Sequence, residues 1–281
     1  MKVYISMDAE GISGIFKLGQ VMSSDKEYEF ARRMMANDVN AAIRGAFNAG
    51  AEQVVVNDAH NNGDNLLIDQ LDERVDLISG ALRPLGMAEG AELGFDAAFL
   101  IGYHRRKGGK GVASHSYAYG TMVEMKINGR IAAEFDLIGY CLGEFDIPVI
   151  FVSGDDLTIE DAEKSVPGIY SVETKIAISN NAALCHHPKR NAANIERTVC
   201  DALQNYMGKL KPMKINGKAE IEVRYSAEVQ AANAAKAPNA IREGECTVKY
   251  VGVSYMEAYK SFMIGTSLAA AFRDDADLYK G

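Results

Sequence analysis

The chain has 281 residues, 48% of them apolar, which is enough to bury one large core or two modest ones. Its formal charge of -8, from 38 acidic against 30 basic residues, gives no electrostatic footprint for nucleic acid or anionic lipid and favours a neutral or cationic small substrate. The opening MKVYISMDAE lacks the basic and long apolar regions of a signal peptide, and the apolar segment 262–272 is far short of the ~20 residues a membrane helix needs.

Lys2–Met7 alternates weakly and is rich in strand formers. After the DAEGISG loop, Ser24-x-x-Glu27 forms a capping-box pattern that predicts a helix running on to Gly50. Residues 52–56 form a short β-branched run leading into NDAH, and the apolar run Ala97–Ile101 leads into GYH. Met122–Ile127, the Asn128-Gly129 turn and a return over 130–135 predict a hairpin decorating the sheet. A helix over 137–145 and a buried strand over 148–154 follow.

Strands alternating with helices predict an α/β fold: a three-layer α/β/α sheet domain over about 1–160, carrying the catalytic site. Beyond it, KIAIS, a helix over 188–206, AEIEVRY, a helix over 227–235, CTVKYVGV and a helix over 256–272 predict a second, smaller α+β lobe over 161–281. That lobe would serve packing, substrate shape or assembly. Cys141, Cys185, Cys200 and Cys246 are scattered without a CxxC pair, which predicts free thiols and a cytoplasmic protein.

The ionisable groups gather just past strands. Asp8 and Glu10 follow the first, His60 the VVV run, His104 the AFLIG run, and Asp155 with Asp156 the VIFVS run. In open α/β sheets ligands bind outside the carboxyl ends of strands, so these residues converge on one edge. Asp8-x-Glu10 directs two carboxylates to the same side of an extended segment. Imidazoles mixed with carboxylates suit zinc, with manganese or cobalt as alternatives, at a hydrolytic centre. Asn57, Asp58, Asp155 and Asp156 are candidates either for accepting the outer N–H of a ligating imidazole or for capping turns. His186 and His187, before Pro188, read as exposed residues, and Ser114 and Ser116 beside His115 lack the separately placed partner a serine nucleophile requires.

The ordered motifs MDAEGISG, VNDAHN, LISG, GYH, SHS and SGDD, spread over the first 156 residues, resemble the D-aminopeptidase family of metallopeptidases. The resemblance implies two Zn2+ ions per chain, with Asp8 bridging them, Glu10 and His60 completing one site and His104 and Glu134 the other. Glu124 and Glu144 compete for the last position, and the hairpin register favours Glu134. The resemblance also implies His115 as the catalytic histidine and a homo-oligomer, a decamer of two pentamers. Two divalent ions against the charges of Asp8, Glu10 and Glu134 would leave about one positive unit to activate a bridging water.

The function so implied is zinc-dependent aminopeptidase action on short peptides or amino-acid amides, with D-residues preferred at the free amino end. Two other readings stay open. A two-metal phosphoesterase or amidase needs similar ligands, and Arg105, Arg106 and Lys107 after His104 could serve phosphate. A non-catalytic peptide-binding component could use the same cleft for capture.

Overall fold

The structure is a computed structural model and describes residues 1–271, so the last residue of the helix predicted over 256–272 lies outside the described residues. In chain order the elements are β1 (Lys2–Met7), α1 (Tyr28–Asn48), β2 (Gln53–Asp58), β3 (Asp76–Ile78), β4 (Ala97–Ile101), β5 (Met122–Ile127), β6 (Arg130–Ile131), α2 (Glu134–Gly143), β7 (Val149–Asp155) and α3 (Asp156–Ser165). There follow β8 (Tyr170–Ser179), β9 (Ala182–Cys185), α4 (Pro188–Asn205), β10 (Ala219–Tyr225), α5 (Glu228–Ala234), β11 (Ala240–Arg242), β12 (Thr247–Gly252) and α6 (Tyr255–Ala270). Among the described residues no helix is long and apolar enough to cross a membrane.

A seven-stranded sheet runs in the order β3-β2-β1-β4-β7-β8-β9, parallel except for β9. Its central strands are buried on both faces, which is why VVV, AFLI and VIFV read as continuous apolar runs. The crossover β1-α1-β2 runs one way along the sheet and β7-α3-β8 the other. Right-handed connections therefore place α1 and α3 on opposite faces and give three α/β/α layers. Helix α4 packs on α1, where a Cβ added at Gly45 would stand 2.5 Å from the Glu196 carbonyl oxygen, so the glycine sets the close crossing.

A five-stranded antiparallel sheet, β11-β12-β10-β5-β6, carries α5 and α6. The sheets do not divide at residue 160, because β8 and β9 extend the first and β5 and β6 belong to the second. The predicted hairpin is thus part of the second sheet rather than a decoration of the first. Its return strand is also shorter than 130–135, since β6 stops at Ile131 and α2 starts at Glu134. The Ala133 N–H donates to the Asp136 carboxylate at 2.8 Å, a local helix-start bond that ends the strand. Likewise Ser24 does not cap α1: the Asp25 carboxylate takes the Glu27 N–H at 2.8 Å, and the helix begins one residue after Glu27.

Candidate metal centre

Strand β1 lies between β2 and β4, so the chain leaves it on one side and returns on the other, which makes the β1/β4 junction the topological switch point. Met7 is paired with Asp58 on one side and with Ile101 on the other. Asp8, the 59–60 turn and Gly102 therefore leave the sheet together. The Asp8 N–H donates to the Ile101 carbonyl at 2.8 Å and the Gly11 N–H to the Gly102 carbonyl at 2.7 Å. These two glycines are required by close approach: a Cβ on Gly11 would stand 2.0 Å from the Tyr103 carbonyl oxygen, and one on Gly102, at φ +73°, 2.2 Å from the Asp8 carbonyl oxygen.

Five side chains converge at this edge. His60 Nδ1 lies 3.1 Å from Asp8 Oδ1 and 3.4 Å from Glu10 Oε2. His104 Nε2 lies 3.1 Å from Glu134 Oε1 and 3.6 Å from Asp8 Oδ2. Asp8, Glu10 and His60 form one group of potential ligand atoms within 4.8 Å of one another, and Asp8, His104 and Glu134 form a second. Asp8 belongs to both. A third such group joins Glu10 and His104 to His115, whose Nε2 is 3.8 Å from Glu134 Oε1. Glu134 arrives on the first turn of α2, where the helix dipole favours a carboxylate. Neither Glu124 nor Glu144 belongs to any of these groups.

The donor set fits divalent metal. Among the described residues, eight buried side-chain N or O atoms lack a hydrogen-bond partner, and five of them are Asp8 Oδ2, both Glu10 carboxylate oxygens, His104 Nε2 and Glu134 Oε1. Buried acceptors are rarely left so, and their clustering within ligand distance of one another calls for a cation among them. The imidazole tautomers agree. His104 Nδ1 faces the Arg105 carbonyl at 2.9 Å, His60 Nε2 the Val21 carbonyl at 3.1 Å and His115 Nδ1 the Ala113 carbonyl at 2.9 Å. His104 and His115 thus direct one N–H to backbone and the other nitrogen to the cluster, whereas His60 Nε2 also meets the Asn61 side-chain nitrogen at 2.7 Å while its Nδ1 faces Asp8 and Glu10.

Without metal, protons balance the charge. Burial, reinforced by the Glu10 charge, pushes the Asp8 carboxyl up to about 7. Burial also opposes charge on Glu10, but His60 outweighs it and holds this carboxyl well below its ordinary value. Burial disfavours imidazolium at His104 and His60, yet the carboxylates prevail, raising His104 to about 10 and His60 well above its usual value. His115 moves the other way, lowered by burial and by the neighbouring His104, on which it stacks at 4.1 Å between ring centroids.

The outer partners differ from those the sequence pointed to. Asp58 accepts the Asn65 and Leu66 N–H groups, both at 2.7 Å, and so shapes the loop after His60 without touching its ring. Asp155 caps α3 through the Thr158 N–H at 2.8 Å and accepts the Val112 N–H at 2.7 Å, which tethers the segment carrying His115. Asp156 accepts the Ala177 N–H, and Asn57 bonds Tyr4 and Arg83. All four are turn and loop supports; the outer imidazole nitrogens face backbone carbonyls instead, joined at His60 by the Asn61 side chain. Two residues that sequence reading passed over also act here. Lys175, fully buried in β8, donates to the carbonyls of Glu10, Ile12 and Ile15 at 2.7–2.8 Å, and Arg83 lines the cavity above the cluster.

That cavity, of about 340 Å³, reaches Asp8, His60, His115 and Glu134 and is bounded by the loop 81–87 and by Met263 and Ser267 of α6. The basic run after His104 does not line it: Arg105 pairs with Asp161 at 2.7 Å, and Lys107 bonds the Met122 carbonyl. Ser114 Oγ is engaged by Gly109 and Asn180, not by an imidazole. His186 pairs with Glu173 and His187 accepts the Lys189 N–H, both away from the cluster.

The D-aminopeptidase family profile matches residues 1–264. The chain is 35% identical over 270 residues to a D-aminopeptidase of Bacillus subtilis strain 168, covering 96% of this chain and 98% of the relative. Its structure superposes with a TM-score of 0.92 at 34% identity on the Zn-dependent D-aminopeptidase DppA from Bacillus subtilis, described as a self-compartmentalizing protease, over 98% of this chain and 100% of that one. The likeness first drawn from MDAEGISG, VNDAHN, GYH and SHS thus extends over nearly the whole chain.

Proposed function

The chain belongs to the D-aminopeptidase family, and from that premise we propose that it is a zinc-dependent aminopeptidase releasing D-residues from the free amino end of short peptides or amino-acid amides. The observation that carries this reading is the cluster of five buried atoms without a hydrogen bond on Asp8, Glu10, His104 and Glu134, of which Asp8 and Glu134 line the cavity. Two sharing groups of ligand atoms support two zinc ions per chain, with Asp8 common to both, Glu10 and His60 at one, and His104 and Glu134 at the other. When bound, such ions supply Lewis acidity toward the scissile carbonyl and lower the pKa of water.

His115 is the acid–base residue. Its Nδ1–H is fixed on Ala113, which leaves Nε2 at the cavity, and its lowered pKa keeps the ring neutral and able to take a proton before passing it to the leaving amine. Ala113 is left-handed at φ +49°, and the bonds from its own N–H to Asn180 and from Val112 to Asp155 hold that conformation and aim the ring.

The chain is further read as a cytoplasmic homo-oligomer, in a decamer of two pentamers. Ile176, Ile178 and Leu184 place exposed apolar side chains on β8 and β9, which suits burial against another copy, and the four cysteines are unpaired.

The test is zinc content by elemental analysis together with hydrolysis of D- and L-alanine para-nitroanilides before and after chelation. Two zinc ions per chain and chelator-sensitive turnover of the D-substrate are expected. Protein that stays inactive after zinc is added back would overturn the reading, and turnover of the L-substrate alone would overturn its stereochemistry.

A further inference from the structure

Among the residues lining the cavity, Arg83 is the one permanent cation. Its Nη1 donates to the Asn57 side-chain oxygen at 2.6 Å and to the Asp58 carbonyl, at the end of the strand that leads to His60. Those bonds use the two hydrogens of one nitrogen and leave three N–H groups of the fork. No carboxylate among the described residues pairs with it. The backbone is built around this placement. Leu82, fully exposed, turns the chain at φ +60°, and Gly63, where a Cβ would stand 3.0 Å from Arg83 Cζ, leaves room for the guanidinium.

The cavity's lining therefore combines carboxylates and imidazoles, which suit a free amine and the scissile carbonyl, with a guanidinium that no carboxylate of the described residues pairs, whose strongest partner is a carboxylate held by two parallel hydrogen bonds. An extended peptide spans about 3.3–3.6 Å per residue, and a volume of about 340 Å³ is at the small end of ligand pockets.

We propose that Arg83 binds the terminal carboxylate of the substrate, so that the site favours short peptides that are free at both ends. This rests on the aminopeptidase reading and adds to it a charge-selecting subsite. A longer peptide would bring a neutral backbone carbonyl to Arg83 in place of the carboxylate, and an amide would bring a carboxamide.

The test compares D-alanyl-D-alanine with D-alanyl-D-alanine amide on the zinc-loaded, full-length protein and its Arg83→Gln and Arg83→Lys variants. Wild type is expected to favour the acid over the amide in kcat/KM by about 10- to 100-fold, the worth of a paired charged hydrogen bond. Arg83→Gln should collapse that ratio toward one, mainly through KM for the acid, and Arg83→Lys should restore part of it because it keeps the charge without the fork. A wild type indifferent to the carboxylate, or a ratio that survives while both rates fall together in Arg83→Gln, would overturn the proposal, the second showing that Arg83 merely braces the 80–86 loop. Failure of zinc-loaded wild type to cleave either peptide would instead overturn the aminopeptidase reading, and the subsite with it. Should Arg83→Gln not fold, the acid-to-amide ratio of Arg83→Lys decides: an unchanged value counts against the proposal.

Discussion

Lys175→Met is the sharpest probe of how the chain holds its ligand loop. The Lys175 ammonium is fully buried, and its three N–H groups match three carbonyl acceptors, those of Glu10, Ile12 and Ile15. Burial pushes its pKa down to about 8, so it is still charged at pH 7. Methionine keeps the length but donates nothing. Each orphaned buried carbonyl costs about 1–3 kcal/mol, roughly 3–9 kcal/mol for the three. Relief from holding a dehydrated ammonium returns about 3 kcal/mol, the worth of the pKa drop from 10.5 to about 8. The net loss, between roughly zero and 6 kcal/mol, falls on the one segment that carries Glu10. Zinc at the Glu10–His60 group should therefore weaken by about 10- to 100-fold, the usual effect of losing a ligand's support, while the His104–Glu134 group weakens less. Calorimetric titration of zinc into metal-stripped protein, with circular dichroism to confirm folding, reads both affinities. Two wild-type affinities in Lys175→Met would refute the reasoning, and equal weakening of both sites would show a global rather than a local effect.

Removing the His115 ring should separate chemistry from metal binding: His115→Ala is expected to keep its zinc content and lose about 10²- to 10⁴-fold in kcat, and a loss of zinc equal to the loss of rate would reassign it as a ligand. Metal and protons compete for the same atoms, so pH should act oppositely on the two forms. His104, raised from 6.5 to about 10, stabilises the metal-free fold fully below pH 6.5 and loses that contribution as pH rises through 10; Asp8, raised from 3.8 to about 7, loses its own as pH rises through 7. Glu10, held low, acts only below its ordinary 4.5. Zinc binding improves as these protons leave, so the Tm gap between zinc-loaded and stripped protein should widen from pH 6 to pH 9, and a constant gap would contradict the assignment.

The candidate ligands were legible because parallel strands bury apolar runs and deliver whatever follows them to one edge. Asp8, Glu10, His60 and His104 all come just after such runs, and the structure brings them together. Glu134 was legible for a different reason from the one that places it: the hairpin register pointed to it, but it reaches the site as the first residue of α2. The supports were illegible. A carbonyl that accepts an imidazole N–H has no residue type, so Val21, Arg105 and Ala113 gave no signal, and nearby carboxylates drew attention instead. In KIAIS the alternation itself misleads, since it suggests inward isoleucines and an outward lysine. The reverse holds: Lys175 and Ala177 are buried, whereas Ile176 and Ile178 are 37% and 61% exposed.

That inversion follows from the site. Asp8, Glu10 and Glu134 are each no more than 4% exposed, and burying three carboxylates together is tolerable only if cations balance them. In the metal-free protein the protons on His60 and His104 supply that balance, and divalent ions would take their place among the same atoms. Lys175 does a separate task, because its charge is spent on backbone carbonyls and not on the carboxylates. It holds the curl of residues 8–15 whether or not metal is bound, leaving the ligand loop pre-shaped for zinc at the cost of turning two isoleucines of β8 outward.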